Sequence, residues 1–121
     1  MLADKEALLA TCIRIFGVDG GPTARGREGV AAALTSLGRH SEALALRKEV
    51  VSANERNLGD RHEYTLDSQL SYARSLHAVG DHSDAIDLCR NVLAVREEQL
   101  GVDHEDTKRT KRVLDRLVAE T

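Results

Sequence analysis

Two stretches of the chain are written twice. Gly38-Arg39-His40-Ser41-Glu42-Ala43-Leu44 returns as Gly80-Asp81-His82-Ser83-Asp84-Ala85-Ile86. Leu58-Gly59-Asp60-Arg61-His62-Glu63-Tyr64-Thr65 returns as Leu100-Gly101-Val102-Asp103-His104-Glu105-Asp106-Thr107. The offset is 42 residues throughout: Gly38 to Gly80, Ala43 to Ala85, Gly59 to Gly101, Thr65 to Thr107. It reaches backwards as well, because Phe16-Gly17 and Thr23 stand one period before Leu58-Gly59 and Thr65. A fixed period of roughly 20–50 residues marks a stack of supersecondary units, each with more apolar surface than it can bury alone.

The apolar residues within each unit recur at helical spacing, and no stretch alternates with period two, so helices are expected and strands are not. The pattern predicts helices at about 2–16, 23–37, 41–58, 64–79, 83–100 and 106–119. In the first, Leu2, Leu8, Leu9, Cys12, Ile13 and Phe16 gather on one side. Gly17 to Pro22, with three glycines and the only proline, reads as a break. Gly26 and Gly29 fall inside the second helix, where each costs about 1 kcal/mol relative to alanine. Gly38 and Gly80 end their helices as left-handed residues, and Ser41 and Ser83 open the next ones. The helices at 23–37, 64–79 and 106–119 form one type, called A here. Those at 2–16, 41–58 and 83–100 form a second type, B. The expected fold is all-α, a right-handed stack of antiparallel helix pairs in a single domain spanning 1–121. Ala31, Ala43, Ala73 and Ala85 are the small residues that let neighbouring helices approach closely.

Composition restricts the core and the partners. Aromatic residues are 2% of the chain and tryptophan is absent, so Leu, Val, Ile and Ala must build the interior. A net charge of −3 supplies no bulk attraction to nucleic acid or to an anionic membrane. No apolar run approaches the roughly 18 residues of a membrane span. The N-terminal segment, with Asp4 and Glu6, lacks a secretory core. Cys12 and Cys89 lie far apart on apolar faces, in no metal-ligand spacing, and read as buried thiols of a reducing compartment. A cytoplasmic location is the corresponding expectation.

The run Gly-x-x-Ser-Glu-Ala-Leu at Gly38–Leu44 and the segment Leu100–Thr107 resemble the tetratricopeptide repeat in its longer form, as in kinesin light chains and many bacterial signalling proteins. Glu105 stands where that form usually has proline, and Pro22 is displaced by one. The resemblance covers the chain as half a repeat, two full repeats and a final A helix. It implies an α-solenoid of about 2.5–3 repeats whose A helices line a concave groove for a protein or peptide. The family's asparagine midway along the A helix is replaced here, with Gly29-Val30-Ala31, Ser71-Tyr72-Ala73 and Val113-Leu114-Asp115 at that place. Asp115 takes the position of Ala31 and Ala73, so the last A helix is expected to cap the stack and face solvent.

Sets that could carry chemistry do not assemble. His62-Glu63 and His104-Glu105 lack the second histidine of a zinc-protease helix and sit in interhelix connections. The five histidines share no zinc-ligand spacing. Gly17, Gly20 and Gly21 precede no Lys-Ser or Lys-Thr of a phosphate loop. No catalytic residue, metal or cofactor is therefore expected, and the chain reads as a non-enzyme. The inward face of the A helices is predicted to carry Arg25 and Glu28, then Asp67, Leu70, Arg74 and His77, then Arg109, Arg112 and Arg116. The last seven form the candidate partner-binding set. Its C-terminal half is basic and would suit an acidic segment or a terminal carboxylate. A single short basic face is too thin a footprint for nucleic acid. The alternative role is self-association. The 2–16 helix resembles a B helix without its A partner, leaving Leu8, Leu9, Cys12 and Ile13 for a second copy unless the chain is part of a longer array.

Overall fold

The computed structural model describes Leu2–Phe16 and residues 21–121. Six helices occupy them: α1 (Leu2–Phe16), α2 (Gly21–Ser36), α3 (His40–Leu58), α4 (Glu63–Ala78), α5 (His82–Leu100) and α6 (Glu105–Ala119). No strand occurs among the described residues. Each boundary falls close to its expected place, and the largest difference is at α2. Gly21 and Pro22, expected within a break, are helical. Proline fits a first turn because its missing N–H would have no intrahelical acceptor there. Residues 17–20 of the expected break lie outside the described residues.

The repeat is visible in the turns. Gly38 and Gly80 have φ of 77° and 93°. The following N–H groups reach back over them, Arg39 to the Leu34 carbonyl and Asp81 to the Leu76 carbonyl, each at 2.8 Å. This is the six-to-one bond of a Schellman ending. It delivers the chain straight into the next helix, so α3 and α5 open at His40 and His82, one residue before Ser41 and Ser83. The capping positions fall to Arg39 and Asp81, and neither caps with its side chain. Gly59 and Gly101 adopt φ/ψ of 87°/166° and 86°/163°. That region is open essentially to glycine alone.

The chain forms two compact units, Met1–Ser68 and Gln69–Thr121, and α4 crosses from one to the other. In the first, α2 lies between α1 and α3. Its core is Val30, Ala31, Leu34 and Ala43, with Leu2, Leu9 and Leu46 packed against it. Arg27 and Arg47 cross from helix to helix, pairing with Glu49 and Glu28, each at 3.1 Å. In the second unit α5 packs on α6, with Ala85, Cys89, Val92, Val113 and Leu117 buried. The four alanines expected at close approaches are all 0% exposed. So are Thr23 and Thr65, and Thr107 is nearly so. Asp115 is exposed at the third alanine position. Val118 is exposed where Leu34 and Leu76 are buried.

Helix α1 departs from expectation in one respect. Leu2 and Leu9 face the core, but Leu8 is 60% exposed, and Ile15, outside the predicted face, is 62% exposed. By the repeat register Leu8 corresponds to Val50 and Val92, both buried. Cys12 is correspondingly half-buried, whereas Cys89 is buried as expected. No described helix is long and apolar enough to cross a membrane.

Candidate functional site

The basic residues of the second unit divide by whether anything holds them. Arg109 lies 3.7 Å from Asp106, Arg112 lies 4.0 Å from Glu105, and Arg90 lies 4.0 Å from Asp87. Arg96 is 1% exposed and donates from Nη1 to Thr110 Oγ1 at 2.9 Å. Arg74 and Arg116 differ: among the described residues neither guanidinium has a hydrogen-bond or ion-pair partner. Both are exposed. Both line the same cleft of about 280 Å³, together with His77, Ala78, Val113, Leu117 and Glu120.

Helical spacing explains the gathering. Arg74, His77 and Ala78 share one face of α4 at i, i+3 and i+4. Val113, Arg116 and Leu117 do the same on α6, and Glu120 is the residue that caps its C-terminus. Val113 and Leu117 are buried and give the cleft an apolar floor, while the two arginines and His77 give it cationic and donor groups. Glu120 is its acidic member.

His77 ties the end of α6 to α4. Its Nε2 lies 3.1 Å from the Leu117 carbonyl oxygen and 3.4 Å from Thr121 Oγ1. A carbonyl oxygen only accepts, so Nε2 carries the hydrogen. The Thr121 hydroxyl donates to the same carbonyl at 2.6 Å. The His82 ring meets His77 edge-on, centroids 4.2 Å apart at 68°. Nδ1 of His82 is buried without a hydrogen-bond partner.

The seven candidate residues from the sequence thus separate. Arg74, His77 and Arg116 come together in the cleft. Arg109 and Arg112 are turned toward acidic residues of their own helix. Leu70 is buried. Asp67, in the first unit, is half-buried and is not without a partner. Arg25 is exposed, and Glu28 is committed to Arg47. Val113, Leu117, Ala78 and Glu120 were not among the candidates. Their i, i+3, i+4 spacing around Arg116 and His77 is the signal that points to them.

The recurring His-Glu segments have a structural role. Nδ1 of His62 accepts the Tyr64 N–H at 3.0 Å, and Nδ1 of His104 accepts the Asp106 N–H at 3.1 Å. Each histidine therefore satisfies an N–H left open in the first turn of an A helix. Burial pushes the Cys89 thiol up to about 11, with the Arg74 guanidinium acting in the opposite sense. It is a packing residue whose Sγ faces the Thr110 carbonyl at 3.9 Å. Among the described residues no three His, Cys, Asp or Glu side chains gather to hold a metal ion.

Helix pairs repeated at a constant register, joined by glycine turns of matching geometry, define a helical-repeat protein of the α-solenoid class. Residues 22–98 match the tetratricopeptide-repeat family model, and the chain belongs to that family. Among solved structures it is similar to the nearly identical TPR-like repeats of a kinesin light chain type protein from Podosopora anserina. The match has 23% identity and a TM-score of 0.82, covering 96% of this chain and 55% of that one. A glutamine-to-methionine variant of those repeats at position 17 aligns with the same identity and coverage at a TM-score of 0.84. The chain therefore spans about half the length of the structures it matches. No curated protein matches the sequence. Repeats of this family generally mediate protein–protein interaction and are typically non-catalytic.

Proposed function

We propose that the chain is a non-catalytic binding module, serving as a scaffold, that holds an acidic segment of a partner protein across the A helices, with the α4–α6 cleft as its anchor. The observation that carries this reading is the pair of unpartnered guanidiniums. Four of the six arginines in the second unit are held by acceptors, and the two that are not face one cleft. A carboxylate there gains charge-assisted hydrogen bonds, while adjacent aliphatic groups of the guest cover Val113 and Leu117. Each such bond contributes about 1.5–3 kcal/mol when shielded from water. Arg74→Glu with Arg116→Glu is expected to weaken capture of an acidic peptide by at least about tenfold. Arg112→Glu, at a residue already facing Glu105, changes capture little. The affinity of the parent chain should also fall with salt, as the Debye length shrinks from about 10 Å at 0.1 M to about 3 Å at 1 M. Equal loss in the two variants, or binding indifferent to salt, would remove the cleft from the reading.

A second reading is self-association through residues 2–16, and the exposure of Leu8 and Ile15 favours it. The two leucines of α1 have different roles. Leu9 packs on the α2 core and Leu8 does not, so the informative substitution is Leu8→Glu, which leaves the packing of α1 on α2 in place.

A further inference from the structure

We propose that the exposed face of α6 is a docking surface for a helix of another protein, one that continues the stack as a B helix and carries carboxylates on both flanks of its contact seam. This face shares no residue with the α4–α6 cleft, and the first repeat supplies its template. In α2 the stripe that meets α3 is Arg27, Glu28, Ala31, Leu34 and Thr35. Arg27 pairs with Glu49, and Glu28 with Arg47. At 3.6 residues per turn, Arg47 and Glu49 flank the Ala43–Leu46–Val50 seam of α3 on opposite sides. One period on, Gln69, Leu70, Ala73 and Leu76 of α4 are buried. Two periods on, the stripe is Lys111, Arg112, Asp115, Val118 and Ala119 of α6, and all five are exposed. Lys108, at the place of buried Ala24 and Leu66, is exposed too. Among the described residues the Lys111 ammonium has no hydrogen-bond or ion-pair partner. Arg112 meets only Glu105, at 4.0 Å and itself exposed.

The register states what such a helix must carry. Seated as α3 is on α2, it covers these cations as α3 covers Arg27, which is buried. A covered cation without a carboxylate is costly. Lys111 stands for Arg27 and keeps the demand for an acid at position 49 of the template. Arg112 stands for Glu28 and reverses the demand at position 47, from a cation to an acid. Asp115 stands for Ala31 and asks for a cation near position 43. It also sets the middle of the face against the phosphates of nucleic acid or lipid. Val118 stands for Leu34 and takes an apolar residue of the seam. A second copy does not supply this helix. Its α1 leaves Leu8 exposed at the place of buried Val50, but it brings Lys5 to position 47 and Ala7 to position 49.

The probe is a pair of labelled, capped peptides of the α3 sequence, residues 40–58, read by fluorescence anisotropy against the full chain. Both carry Ala43→Lys and a side-chain lactam between positions 41 and 45, which are exposed in α3. They differ at one residue: one keeps Arg47 and the other has Arg47→Glu. The Arg47→Glu peptide is expected to bind at least about tenfold more tightly, with the advantage shrinking at high salt. Arg112→Glu in the chain, at an exposed position, should keep the helical circular dichroism signal and reverse the order of the two peptides. Arg74→Glu with Arg116→Glu, which strips the cleft of its cations, should leave both affinities unchanged. Equal affinities of the two peptides for the parent chain overturn the proposal, and so does an absence of binding by either at millimolar concentration. An order that survives Arg112→Glu overturns it as well. Binding lost in Arg74→Glu with Arg116→Glu but kept in Arg112→Glu assigns the peptide to the cleft and overturns docking on α6.

Discussion

At the scale of single residues, two glycines one turn apart in α2 have opposite reasons to be there. A Cβ built on Gly26 would lie 3.2 Å from Leu9 Cδ1 and 3.5 Å from Leu9 Cα, so the small residue lets α1 sit close. A Cβ on Gly29 meets nothing within 4 Å, and its backbone is helical. Gly29→Ala is therefore expected to stabilise the chain by about 1 kcal/mol, read as a higher thermal midpoint. Gly26→Ala should gain less, because Leu9 must give way. An equal gain from both would mean that α1 does not press on α2 at Gly26. The cysteines separate in the same manner. Half-buried Cys12 should react with a disulfide reagent at pH 8 in the native chain. Cys89, with its thiol pushed up to about 11 by burial, should react only on unfolding. The sequence placed both thiols on apolar faces correctly. It could not tell them apart, because burial depends on how many helices cover a face and not on the face alone.

At the scale of helix pairs, the repeat conserves positions more than chemistry. Asn54 Nδ2 donates to Ser68 Oγ at 3.2 Å in the first repeat. One period later the same two positions hold Arg96 and Thr110 at 2.9 Å. The first pair is part-buried and the second is buried. Thr110 also donates to the Asp106 carbonyl at 2.8 Å, so it both ends a buried charge's hydrogen bond and holds the first turn of α6. Thr110→Val should cost about 1–3 kcal/mol in urea unfolding, and Ser68→Ala distinctly less, since buried charged groups lose most when an acceptor is removed. Equal costs would mean that water reaches Arg96. The elements themselves were legible because Gly38, Gly80, Gly59 and Gly101 punctuate the chain and Ala43 and Ala85 mark the contacts. What sequence could not supply was the state of each charge. Asp106 and Arg109 at i, i+3 can be read as a pair. The meeting of Arg74 with Arg116 at one cleft depends on how α4 and α6 pack.

At the scale of the whole chain, the repeat register constrains how copies can meet. Within the first unit Ala31 and Ala43 share one core cluster, and Arg47 pairs with Glu28 at 3.1 Å. Copies joined end to end would lay α1 of one on α6 of the next in this same register. Lys5 would then stand for Arg47, and Arg112 for Glu28, so two cations would meet where the repeat pairs opposite charges. Asp115 would enter the alanine position, and a carboxylate buried there without a partner is costly. Both clashes oppose open-ended growth. A symmetric pairing of α1 with α1 through Leu8 and Ile15 meets neither, and an isologous contact closes at two. Sedimentation velocity from micromolar to millimolar concentration should therefore show nothing larger than a dimer. Any dimer should vanish in Leu8→Glu with Ile15→Glu, with the helical circular dichroism signal unchanged. Boundaries that keep growing with concentration would mean that the ends do accept each other, and Lys5→Glu, which restores the opposite charge facing Arg112, should then lengthen the assemblies.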